Sequence, residues 1–196
     1  MSTRGAYGLR WHEQDKVSYN HSDSYPEGLG KEIAEVAAGF SIDDLKNVFY
    51  KIEMVNGTSR PNKEQQRFLS AIGIAWVGND WYNILRQKKG KLLETVAEAL
   101  IHGKSFMTDE SLFIKDSLFC EYAYIINLDS ECLEFWVGFQ KKPDTENRYG
   151  TDENDGYYPC RMIASIQLNS CKTVESFIKM MDIALTRYMK ENEESN

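Results

Sequence analysis

Residues 19–30, Tyr19-Asn20-His21-Ser22-Asp23-Ser24-Tyr25-Pro26-Glu27-Gly28-Leu29-Gly30, gather an imidazole, two carboxylates, an amide, two hydroxyls and two phenols beside a turn marked by Pro and Gly. His21 has the one side chain whose ordinary titration falls near neutral pH, so it can act as a general acid or base, and Asp23 two positions on can orient its ring. Tyr19 or Tyr25 can donate a proton, Arg4 can stabilise negative charge that develops on a reacting group, and Thr3 is a further candidate catalytic hydroxyl. Around this segment Arg10 and Lys31 offer cations for phosphate oxygens, Trp11 and the tyrosines offer flat faces for a base, and Asn20 and Ser24 offer polar contacts. A later Gly156-Tyr157-Tyr158-Pro159 turn adds Tyr157 and Tyr158. The chemistry these types fit is recognition of a small nucleotide-type ligand and hydrolysis of a phosphodiester bond in it. The same residues also fit a plainer role, with His21 and Asp23 satisfying backbone donors ahead of Pro26 and the aromatics packing as core.

Other chemistries find less support. A metal site has only His12, His21 and His102 to draw on, without a helix-spaced pair, and a His12, His21 and Asp23 set is not favoured, so no metal and no cofactor are expected. There is no phosphate-binding loop of the Walker type and no dinucleotide glycine fingerprint. Cys120, Cys132, Cys160 and Cys171 are widely spaced with no CxxC pair, which suits reduced, buried thiols.

The chain has 196 residues, 42% hydrophobic and 27% charged, enough for one core; a single domain over 1–190 is expected, followed by a frayed tail over 191–196. With 23 Lys and Arg against 30 Asp and Glu the formal charge is -7, which argues against long DNA or RNA as a partner while leaving a small phosphorylated ligand open. No apolar run reaches the length of a signal peptide or a membrane span, so a cytoplasmic protein is expected, with no membrane partner. No heptad or apolar stripe specifies an oligomer; small binding proteins of this kind often form homodimers.

The elements that must position these residues follow from periodicity. Residues 6–11 and 16–21 alternate around the polar His12-Glu13-Gln14-Asp15 and predict a hairpin. Two helices follow, one with Ile33, Val36, Ala37 and Phe40 on a face, the other with Leu45, Val48, Phe49 and Ile52 after Ser41 as N-cap. Residues 63–75 read as helical, Asp80 caps a short helix, and Leu92, Leu93, Val96, Ala97, Leu100 and Ile101 form an amphipathic helix that Gly103 ends. Residues 122–128 and 133–139 predict a second hairpin, 141–156 a mobile surface loop, 160–168 a further strand and 174–188 a closing helix. The order predicts an α+β fold: a mainly antiparallel sheet from the N- and C-terminal strand groups, covered by central helices and a C-terminal helix, with the 19–30 segment near the second hairpin and the Tyr157 turn.

The stretches Thr3-Arg4-Gly5-Ala6-Tyr7-Gly8-Leu9-Arg10 and 15–30, together with 80–87, 121–135 and the Gly156 to Pro159 turn, resemble a widespread, largely uncharacterised family of phage and bacterial proteins. That resemblance implies a bacterial host cell and no particular chemistry. Joined to the nucleotide chemistry read from the side chains above, its phage-like character suggests an accessory protein that counters host immune signalling by hydrolysing a nucleotide signal or, alternatively, by sequestering such a signal or a host protein. The opening residues are also similar to the start of N-terminal nucleophile hydrolases and class II glutamine amidotransferases, in which a terminal Cys, Ser or Thr uses its own amine as base. Here that residue is Ser2 after loss of Met1; the usual Cys-Gly start is absent and Thr3 is not terminal.

Overall fold

The computed structural model describes residues 2–193. Its first element is a hairpin of β1 (Gly5–Trp11) and β2 (Gln14–Asn20), in register from Gly5 opposite Asn20 to Trp11 opposite Gln14. The turn is therefore two residues, His12 and Glu13, not the four polar ones expected, and both have positive φ, 51° and 60°. That is the primed turn whose twist suits a hairpin, but it lacks the Asn or Gly that normally fills it. Asp129 compensates: its two carboxylate oxygens accept the His12 and Glu13 amides at 2.9 and 3.0 Å.

Asp129 lies in the turn of the second hairpin, β5 (Tyr122–Asn127) and β6 (Cys132–Val137), so the two hairpins are pinned at their tips. With β7 (Arg161–Gln167) they form a five-stranded sheet in the order β2-β1-β5-β6-β7. The fold is α+β, and the sheet joins the N- and C-terminal strand groups as expected, with one parallel contact, β1 on β5, at their junction.

Strand alternation sorts the sheet into two faces. Tyr7, Leu9, Tyr124, Ile126, Leu133 and Phe135 pack beneath α1 (Lys31–Gly39), α2 (Ile42–Lys51), α5 (Leu92–His102) and α6 (Val174–Glu193). Ser41 accepts the Asp44 amide as the N-cap of α2, and Gly103, at φ 73°, closes α5. α6 runs through Glu193, so residues 191–193, expected to fray, are helical; 194–196 lie outside the described residues. Among the described residues no helix is long and apolar enough to cross a membrane.

A small parallel sheet, β3 (Ile52–Val55) with β4 (Ser105–Thr108), was not expected. It backs a separate cluster of Val55, Leu69, Trp81, Leu85 and Phe106, closed by α3 (Lys63–Ala71) and α4 (Trp81–Leu85). α3 stops four residues before the expected end at Ala75, where Gly73 turns the chain at φ 77°.

The opposite sheet face carries Ala6, Val17, Ala123, Ile125 and Trp136, and is covered by Ile114, Cys120, Tyr149 and Cys160. Tyr149 belongs to the segment expected to be a mobile loop. Instead this segment is strapped down: Arg148 meets the Glu134 carboxylate through both terminal nitrogens at 2.7 and 2.6 Å, and the Tyr149 hydroxyl donates to Asp15 at 2.9 Å. Glu134 is 3% exposed and is also held by Asn127 and the Trp136 indole.

Candidate functional site

The 19–30 segment is first of all a folded corner. The Asn20 side-chain amide donates to the Ser22 carbonyl and to the Ser24 hydroxyl, at 2.5 and 2.9 Å. Ser24 is buried; its amide donates to the Thr3 carbonyl at 3.2 Å and its carbonyl accepts the Tyr124 hydroxyl at 2.9 Å. Asp23 sits in the left-handed region, φ 55°, and its carbonyl accepts the Leu29 amide at 2.8 Å. Gly28 is required here, since a Cβ on it would stand 2.0 Å from that carbonyl. Pro26–Gly30 then winds as one π-helical turn into α1. Asn20, Ser24, Thr3 and the backbone of Asp23 thus build the corner, and Asn20 and Ser24 are not open to a ligand as expected.

What the corner leaves outward is narrower. The Tyr19 hydroxyl pairs with Nδ1 of the exposed His21 at 2.8 Å, so a phenol rather than Asp23 orients the imidazole. The Tyr19 ring packs edge-on against Phe113, with centroids 4.9 Å apart, and Lys89 stands over its face with Nζ 5.0 Å from the centroid. Nζ of Lys89 is also 4.2 Å from the centroid of Tyr82, which places the amine beside two aromatic rings. That Nζ is buried and has no hydrogen-bond partner among the described residues. Burial lowers the Lys89 pKa below its ordinary value, with Glu110 pulling the other way. Partial burial raises the Tyr19 pKa, opposed by the nearby charge of Arg4, whose guanidinium lies 4.9 Å over Phe119.

Tyr82 also borders a cleft of about 450 Å³ lined by Asn56, Thr58, Asp80, Asp109 and Glu110. Asp80 and Asp109 accept the amides of Asn83 and Ser111, at 2.9 and 3.1 Å. The carboxylates disfavour a phosphate in this cleft; Glu110 among them also acts on Lys89 and Tyr19, and Arg4 and Lys89 are the cations beside the Tyr19 ring.

Other expected residues fall elsewhere. Arg10 is spent on the Asp15 carboxylate at 3.0 Å and the Glu13 carbonyl at 3.1 Å. Trp11, at the far end of the hairpin from Tyr19, donates its indole N–H to Tyr50 at 3.2 Å beneath Lys46. His12 is beside Trp11, so it does not join His21 in a ligand set. Tyr25, 40% exposed, and Lys31 lie on the outer side of the corner. Tyr157 and Tyr158 engage Phe139, Lys141 and Glu153 and not the 19–30 segment.

The structure thus brings together Arg4, Tyr19 and His21, and adds Tyr82, from the 80–87 stretch, and Lys89, which no motif marks. Lys89 lies in a Lys-Lys-Gly run that reads as a solvated turn, and only the ring of Tyr19 reveals otherwise. Comparison with protein-family models, with curated proteins and with solved structures finds no match to this chain.

Proposed function

We propose that the protein binds a small nucleotide-type signalling molecule at the outer edge of β2 and hydrolyses a phosphodiester bond in it, with His21 as the acid or base. The observation that carries this is the Tyr19–His21 hydrogen bond. A phenol holding Nδ1 leaves Nε2 of an exposed imidazole to exchange a proton with water or a leaving oxygen, and Arg4 and Lys89 flank that phenol to offset phosphate charge. In a bacterial cytoplasm such an activity would blunt a nucleotide-based immune signal, as the motif resemblance suggests.

A second reading, sequestration without cleavage, is favoured by the buried Lys89 amine beside two ring faces. Both readings are tested by incubating the protein with a panel of cyclic dinucleotides and ADP-ribose derivatives and analysing the filtrate by mass spectrometry before and after heating. New products that disappear in His21→Ala support hydrolysis. Loss of a nucleotide that returns intact on heating supports sequestration, and an unchanged panel refutes both. The N-terminal nucleophile alternative turns on removal of Met1, which lies outside the described residues; intact Met1 in active protein excludes it.

A further inference from the structure

We propose that the cleft between the 139–144 segment and α6 is a second binding site, for an aromatic phosphate of mononucleotide size. Phe139 carries the argument. Its backbone is left-handed, φ 56°, a region in which a bulky side chain is strained, and yet the residue is 51% exposed, its ring meeting Tyr157 edge-on at 6.3 Å between centroids, so burial offsets that strain only in part. Strain of this kind persists only where the surroundings impose it, and here they do. The Phe139 amide donates to the Ser117 carbonyl at 2.7 Å, and the Gly138 amide to the Glu121 carbonyl at 2.8 Å. The buried Gln140 side chain donates to the Val137 and Gly138 carbonyls and to the Tyr188 hydroxyl, at 3.1, 2.7 and 2.8 Å. Gly138 itself has no room for a side chain, because a Cβ would stand 2.1 Å from the Cys120 carbonyl. A rigid pedestal therefore holds an exposed aromatic ring in place.

The ring borders a cleft of about 300 Å³ that Lys141, Lys142, Arg161 and Tyr188 also line. Three cations face one carboxylate, Asp144, whose pairing with Arg161 is loose at 3.7 Å. In a chain with formal charge -7 this is a local reversal of sign, which draws anions. Lys141 is engaged over the Tyr157 ring, 3.2 Å from its centroid, which leaves Lys142 and Arg161 to meet a phosphate while Phe139 stacks on a base. The volume is at the small end for ligand sites and suits a single nucleotide. The site rests on none of the residues proposed for hydrolysis.

The test uses 5′-AMP as the probe, with adenosine and ribose 5-phosphate as its separated halves, titrated at low salt by calorimetry or by ligand-observed NMR. Saturable binding of 5′-AMP is expected, with each half at least tenfold weaker. Phe139→Gly removes the ring but fits the left-handed backbone, so it is expected to melt at or above the parent temperature while binding at least tenfold more weakly. Arg161→Glu is expected to weaken binding similarly, and His21→Ala and Lys89→Met to bind as the parent does. Absence of saturable binding up to millimolar 5′-AMP overturns the proposal, as does unchanged affinity in Phe139→Gly and Arg161→Glu. Loss of binding confined to His21→Ala or Lys89→Met also overturns it and places the nucleotide at the corner.

Discussion

Replacing Arg148 by Met should show how firmly the 141–160 segment is tied to the sheet. The substitution keeps most of the stem and removes two charge-assisted hydrogen bonds to Glu134, at 2.7 and 2.6 Å, and the contact with the Tyr149 hydroxyl at 3.0 Å. Glu134 then remains as a carboxylate 3% exposed, with only the neutral donors of Asn127 and Trp136. Breaking a buried ion pair by removing one partner costs about 3–5 kcal/mol. The Arg148 side chain is 23% exposed and two donors stay on Glu134, so the loss should lie near the bottom of that range, about 3 kcal/mol. At roughly 2–4 °C per kcal/mol for a chain of this size, the melting temperature should fall by about 6–12 °C. Urea and thermal denaturation at pH 7 measure it. Adding Glu134→Gln to Arg148→Met removes the stranded charge and should recover more than half of the loss. A single-variant loss under about 1 kcal/mol, or a double variant no more stable than the single, would refute the assignment of the strap to this charge pair.

Lys89→Met should raise stability at neutral pH, because burial depresses the folded-state pKa below 10.5 and the folded protein then holds the charge at a cost. The unfolded chain binds more protons between the lowered value and 10.5, so parent stability rises with pH across that window and the advantage of Lys89→Met should shrink there; denaturation series at several pH values follow it. Asp129→Ala strips the acceptor from two turn amides and should cost about 1 kcal/mol, while His12→Asn with Glu13→Gly should return a similar amount by supplying residues suited to positive φ, both read by chemical denaturation. Gly8→Ala should prevent folding or cost more than about 3 kcal/mol, since its Cβ would lie 2.0 Å from the Lys16 carbonyl of the paired strand; circular dichroism of the purified variant decides it.

The parts of the fold legible in the sequence are those with long periods and clear punctuation. The second hairpin, the amphipathic helix before Gly103 and the closing helix from Val174 each repeat their pattern often enough to fix their type. β3 and β4 are four residues each, too short to show a period, and Ile52 continues the apolar face of α2 before it enters the strand. The strap went unseen because Arg148 and its acidic neighbours carry the composition of a solvated loop, and their anchor Glu134 lies one strand away. At the site, what the structure shows of the 19–30 segment is largely conformational: Asp23, Gly28 and Ser24 serve the turn. Pairing of His21 with Tyr19 follows from β2 running out beside them. The position of Lys89 depends on a Gly90 turn at φ 78° against Asn20, a contact across the fold.

The parallel contact of β1 with β5 also sets the order in which the protein can be made. Arg4 and Glu121, which meet at the start of that ladder, are 117 positions apart. A ribosome delivers the N-terminal hairpin long before its inner neighbour exists, and a lone two-stranded hairpin is marginal in water. Until Asn127 has left the exit tunnel, Tyr7 and Leu9 have neither β5 beside them nor the completed layer above, and β1 presents an open edge to other nascent chains. Productive folding consequently waits on contacts of long sequence separation, whose loop-closure cost is met before they repay it, and chaperone demand during synthesis should centre on the first strand.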